Sequence, residues 1–282
     1  MKLVSFAFFS EGAPRVGLRI DDAILDLTPL GVTDAVMAVA AGAEVLRQAI
    51  DRPAASHISA AGVRLLPPIP RPPRIFCVGL NYRDHAVESK MEIPKAPTVF
   101  VKLSSAVIGP EEAVRIPAMT KQPDYEVEFA IVIGKGGRAI AAEDWREHVF
   151  GYTILNDVSA RDVQLATSQW VLAKSFDTFG PLGPAVVTQD EIADPHNLDI
   201  QLSIGGEVLQ HSNTRELIFK APELISYISS ITALEPGDII STGTPAGVGL
   251  GRNPQRWLQP GETMVAEVEG LGRLVNPVVA DE

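Results

Sequence analysis

The 282-residue chain has one cysteine, no long apolar run and no block of basic residues. Each absence excludes something. A lone cysteine, Cys77, forbids an intramolecular disulfide and fits a reducing compartment. It sits in the apolar run Ile75-Phe76-Cys77-Val78 and reads as a small core residue. No stretch approaches the roughly 20 apolar residues that cross a bilayer. The opening Met1–Phe9 is too short for a signal core and lacks a cleavage site. The expectation is a cytoplasmic protein with no membrane partner. The formal net charge is −11, with 24 Lys and Arg against 35 Asp and Glu. That excludes a nucleic-acid surface, which needs a concentrated excess of cations.

What remains is an ordinary globular composition, 46% hydrophobic and 21% charged, with ample apolar sequence for a core. Residues 3–9, 15–20 and 23–27 read as strands, the first two joined by the turn signal Glu11-Gly12-Ala13-Pro14. Apolar residues at helical spacing predict one helix from Thr33 to Ile50, with Thr33 as N-cap. Five prolines in the eight residues Leu66–Pro73 then stop any helix or central strand. They predict a stiff connector (67–73) between a small N-terminal α/β unit (1–66) and a main domain (74–282). Beyond Arg74 the pattern is short β runs at 75–78, 98–102, 126–133, 151–156, 185–187, 199–204, 238–242 and 264–268. Only two helices are expected there, near 82–89 and 221–231. The predicted class is α+β and β-rich, a mixed β-sandwich or roll.

The most informative segment is Asp124-Tyr125-Glu126-Val127-Glu128-Phe129. Alternation along a strand puts Glu126 and Glu128 on one face and Val127 and Phe129 on the other. Two adjacent carboxylates repel unless a cation or a shared proton lies between them. Taken alone, the pair fits a solvated edge strand equally well. Asp157 shifts the balance, because it ends the apolar run Gly151–Asn156. Two Glu and one Asp make a hard oxygen site suited to Mg²⁺ or Mn²⁺. Arg161 and Lys174 follow closely and could balance an anionic substrate on that site.

His85 and Glu88 stand three apart and share a face on a helical turn. A carboxylate beside an imidazole orients it and raises its basicity, as acid–base chemistry requires; a surface His–Glu pair would look the same. The glycine-rich Ser241-Thr242-Gly243-Thr244-Pro245-Ala246-Gly247-Val248-Gly249 lacks both the P-loop ending and the dinucleotide setting. It reads as a loop whose backbone and Thr244 hydroxyl approach a small anion.

In this order the segments resemble the fumarylacetoacetate hydrolase family. The matching stretches are Val78-Gly79-Leu80-Asn81-Tyr82 with His85 and Glu88, Asp124–Glu128, Asn156–Asp162, Ala173–Pro181 and Ser241–Gly249, within residues 74 to 279. The resemblance implies a β-rich roll or sandwich, a homodimer, and Mg²⁺ or Mn²⁺ held by Glu126, Glu128 and Asp157. It implies that His85 with Glu88 activates water and that Arg161, Gln164 and Lys174 surround a developing oxyanion. Thr244 would hold the substrate carboxylate, and Tyr82 would contact substrate. The implied reaction is C–C hydrolysis of a 2,4-dioxo acid of the acylpyruvate type, such as a 2,4-dioxo-3-deoxy sugar acid. Oxaloacetate decarboxylation and isomerisation of a 2-hydroxy-dienedioate use the same enolate-stabilising parts.

Overall fold

A computed structural model describes residues 1–9, 12–50 and 56–281. Glu11 of the expected turn lies outside the described residues. Two sheets dominate. The larger mixed sheet runs in the order 56–59, 23–26, 15–20, 2–8, 180–188, 149–156, 127–133, 239–241, 75–79, 98–102. The smaller one runs 207–213, 199–204, 263–268, 272–280, 114–116. Neighbours are mostly antiparallel; Ile239–Ser241 lies parallel to Ile75–Gly79. This sheet-rich arrangement with a minority of helix is the predicted class.

The central strand Val127–Ile133 shows why its sequence is almost wholly apolar. It is buried along its full length, because both its faces are covered. Val127, Phe129, Ile131 and Ile133 pack with Ile200, Leu202 and Ala266 of the second sheet and with Leu224 and Ile225 of the helix Ala221–Ile231. The alternate residues Ala130 and Val132 pack instead with Ala38, Val39 and Leu46 of the N-terminal helices. Period-two alternation here separates two cores, not core from solvent. Glu126 and Glu128 lie on the Ala130 face, just before the apolar cover begins.

Three differences from the sequence reading have physical causes. The helix expected over 33–50 is two, Ala35–Ala41 and Ala43–Ile50. Gly42 breaks it at φ 85°, a conformation that costs glycine nothing. Its N-cap is Asp34, not Thr33, because the Asp34 carboxylate accepts from Met37 N at 2.8 Å. Glu207–Asn213 and Gly272–Ala280 are strands that apolar runs did not reveal. Both belong to the outer sheet, where one face meets solvent and polar residues interrupt the pattern. Around the expected connector, Lys2–Phe8 pairs antiparallel with Gly180–Thr188, Lys2 opposite Val187 and Leu3 opposite Val186. The N-terminal strands thus continue the large sheet.

Candidate metal centre and acid–base pair

Three elements converge at one end of the large sheet. Glu126 and Glu128 come from the start of the central strand, and Asp157 follows the strand Val149–Asn156 paired beside it. Asp157 N donates to Glu126 O at 2.8 Å, which locks this corner. All three carboxylates are buried, with one oxygen of each inside 4.8 Å of the others. Burying three like charges together demands compensation.

Part of it comes from the chain's own cations. Lys174 Nζ bonds Glu126 Oε2 at 2.7 Å and Asp157 Oδ2 at 2.8 Å. Arg161 Nη2 lies 2.6 Å from Glu126 Oε1. Burial opposes ionisation of Glu126, but Lys174 and Arg161 outweigh it and hold its pKa at about 2. Glu128 goes the other way. Burial, with the charges of Asp157 and Glu126, pushes it well above the usual range, although Ser241 Oγ and Gly243 N both donate to its Oε2. Burial would also lower the Lys174 ammonium, yet Asp157 and Glu126 hold it above its ordinary value.

The donor set fits a divalent cation. Asp157 Oδ1 is a buried carboxylate oxygen with no hydrogen bond; Lys102 Nζ stands 2.9 Å from it without the alignment a hydrogen bond needs. A like-charged oxygen triad with an under-satisfied ligand atom is what Mg²⁺ or Mn²⁺ would complete, and no soft donor competes.

Above the triad lies a cavity of about 560 Å³. Glu126, Glu128, Lys174, Arg161, Gln164, Thr244, His85 and Glu88 all line it. The short helix Arg83–Glu88 carries the last pair, with His85 Nδ1 3.0 Å from Glu88 Oε2. The other Glu88 oxygen accepts from Gly247 N at 2.9 Å, so the glycine loop seats the dyad. Gly251 closes the seat, because a Cβ there would come within 2.6 Å of Glu88 Cδ. Gln164 accepts from Arg161 Nη1 at 2.9 Å.

Two expected residues are placed differently. Thr244 reaches the cavity, but its hydroxyl donates to Val127 O at 3.0 Å and accepts from Gln210 at 2.8 Å. Its proton is committed to the backbone, which leaves none for a substrate carboxylate. Tyr82 is wholly buried, bridges to Leu217 and is absent from the cavity lining. It is a packing residue next to the dyad helix, not a substrate contact.

Three residues that sequence reasoning missed hold the site together. Lys102, buried at the end of an edge strand, donates to the carbonyls of Val158, Lys174 and Phe179 while facing Asp157. Asp124 accepts from Tyr125 N, Gly249 N, Leu250 N and Arg161 Nε, all within 3.0 Å. Gln210 accepts from Val127 N and donates to Thr244 and Pro245. Asp124 alone carried a signal, standing two residues before Glu126 on the strand-like alternation.

Comparisons with known proteins agree with this geometry. The family model for the C-terminal domain of fumarylacetoacetate (FAA) hydrolase matches residues 74–279. The chain is 42% identical over 290 residues, 99% of its length and 90% of the relative's, to a mitochondrial oxaloacetate tautomerase, fahd2, of Xenopus laevis. That relative lends no support to a cytoplasmic place, although no helix among the described residues is long and apolar enough to cross a membrane. Fumarylacetoacetate hydrolase from Exiguobacterium antarcticum has a TM-score of 0.88 at 35% identity, with full coverage of both chains. Maleylpyruvate hydrolase from Sphingobium sp. SYK-6, solved with manganese(II) and pyruvate, gives 0.84 at 33%, also with full coverage of both. A family whose members include hydrolases and tautomerases thus shares this chain's fold and most of its length, and the chain belongs to the fumarylacetoacetate hydrolase family.

Proposed function

We propose that this enzyme interconverts the enol and keto forms of oxaloacetate with Mg²⁺ or Mn²⁺ at Glu126, Glu128 and Asp157. One observation carries the reading. A proton-transfer pair, His85 with Glu88, and a hard oxygen metal site share one cavity. The name of the Xenopus relative supports the substrate. A divalent cation there supplies Lewis-acid polarisation of a chelated 2-oxo group.

The chain's residues do the rest. Glu88 holds Nδ1, which leaves His85 Nε2 to exchange a proton with C3 of the substrate. When C3 loses that proton, its electron pair forms the C2–C3 double bond and the carbonyl pair moves to oxygen. Lys174 and Arg161 sit where they offset the negative charge that develops. Delivery of that proton from His85 Nε2 to the C2 oxygen completes the enol; in the reverse direction the enol O–H gives up its proton and C3 regains one, so no co-reactant is needed.

A second reading is favoured by the same dyad. His85 could instead activate water against C4 of a 2,4-dioxo acid, breaking C3–C4 to give pyruvate and a carboxylic acid. One experiment separates them. Metal-loaded protein is offered enol oxaloacetate and, separately, acetylpyruvate, and products are followed by ¹³C NMR. Faster enol loss without carbon release supports the tautomerase. Pyruvate with acetate, and no effect on enol oxaloacetate, would replace it with the hydrolase. A homodimer is proposed on the family resemblance, and analytical ultracentrifugation tests it.

A further inference from the structure

We propose that Lys90 recognises the distal carboxylate of the substrate and so makes this cavity selective for 2-oxo dicarboxylic acids. The inference rests on the 2-oxo acid reading of the site and adds the end that the metal does not hold. Besides the polar groups around the triad, Leu80, Met91, Phe100, Leu165, Trp170 and Leu250 line the cavity. Three cations reach it. Arg161 and Lys174 are already committed to Asp124, Glu126 and Asp157 at 2.6–2.8 Å. Lys90 is exposed and makes no ion pair or side-chain hydrogen bond among the described residues. The nearby Glu88 carboxylate is taken by His85 and Gly247.

The backbone supplies an independent observation. Lys90 follows the dyad helix with φ 53°. Its N–H donates to Val87 O at 3.1 Å, and Met91 N donates to Ala86 O at 3.0 Å. That pair of bonds is the Schellman ending of a helix, whose left-handed position is usually glycine because a side chain there is strained. Here the position carries a long cationic side chain at a cavity rim, where glycine would end the helix without that strain. A carboxylate reaching Lys90 would also draw on the residue that ends the helix bearing His85 and Glu88. Distal-charge recognition and placement of the acid–base pair would then act together.

The test uses two probes that differ only where the inference applies. Oxaloacetate carries a carboxylate where 2-oxobutanoate carries a methyl group. Dissociation constants for both are measured calorimetrically with Mg²⁺-loaded wild type, Lys90→Met, Lys90→Arg and Lys90→Gly. The preference for oxaloacetate is expected to fall roughly three- to tenfold in the Met and Gly variants and to be largely kept in the Arg variant, the range of a partly exposed ion pair. It should also weaken as ionic strength rises. Lys90→Gly is the sharpest variant: its melting temperature should equal or exceed wild type while selectivity drops, separating recognition from folding. An unchanged preference in Lys90→Met, or equal weakening of both probes, overturns the proposal. If Lys90 sets the preference but the wild type does not accelerate enol–keto exchange, the tautomerase reading falls and the Lys90 assignment stands.

Discussion

The floor of the cavity and the helix that overhangs it are built on opposite plans. The floor is over-determined. Glu126, Asp157, Lys174, Lys102, Arg161 and Asp124 form a continuous buried set of ion pairs, each member held by more than one partner. The overhanging helix has six residues, too few to be stable alone. Its acid–base pair is seated by one backbone hydrogen bond, from Gly247 N, and by the absence of a side chain at Gly251. Val87 on its outer face is 79% exposed. The contrast teaches a division of labour: charge placed where nothing should move, and a lightly held element where substrate must enter.

Substitutions can break that contrast. The largest loss is expected at the floor, where Asp157→Asn should weaken Mn²⁺ binding by more than about 100-fold, beyond what outer partners of a metal site contribute. Titration followed by electron paramagnetic resonance measures it. On the helix, His85→Ala should lower kcat roughly 10²- to 10⁴-fold with metal affinity unchanged. Equal loss of metal binding there would mean that the two regions are one. Lys102→Met should destabilise the fold by about 3–5 kcal/mol, because it leaves a buried carboxylate short of its counter-charge. Glu88→Gln, by contrast, should change stability by less than about 1 kcal/mol, and urea unfolding compares the two.

Gly251→Ala sharpens the comparison further. The new methyl meets Glu88, so kcat should fall about tenfold or more through misplacement of His85, with little change in melting temperature. The smallest effect concerns pH. Burial opposes ionisation of Glu88, but His85 and the Gly247 amide leave its pKa below the usual value. A group depressed in this way stabilises docking above its unfolded pKa of about 4.3 and loses that contribution as pH falls through the lower folded value. Protection of the amides of residues 83–88, taken relative to their intrinsic exchange rates, should therefore fall in that acidic window.

The acidic triad, the dyad and the loop glycines were all legible, because each departs from what a plain core or surface would carry at that position. Lys102 was not. At the end of a strand whose residues are half exposed, a lysine looks like an ordinary solvated cation, and its burial depends on carbonyls 56 to 77 residues away. Thr244 lines the cavity as expected, but the sequence shows only a hydroxyl on a glycine loop, not that Val127 O already accepts its proton. Tyr82 sat in the right motif, but the sequence does not show whether a phenol just before the dyad helix faces the cavity or the core. Most strands were placed to within a few residues where apolar runs were continuous. The two longest missed ones lie in the sheet with a wet face, where Glu207 and His211 dilute the signal, while Ser56–Ser59 and Val63–Leu66 of the large sheet are only four residues each.

The pairing of Lys2–Phe8 with Gly180–Thr188 has a practical consequence. A protease that nicks the proline-rich segment should release nothing, since the two pieces remain one hydrogen-bonded and apolar assembly. A chain that began at Arg74 would meet a different fate. Gly180–Thr188 would present bare amides and carbonyls, and Ala130, Val132 and Leu155 would lose the helices that cover them. Such an edge recruits other strands. The molecule tolerates being cut far better than being shortened.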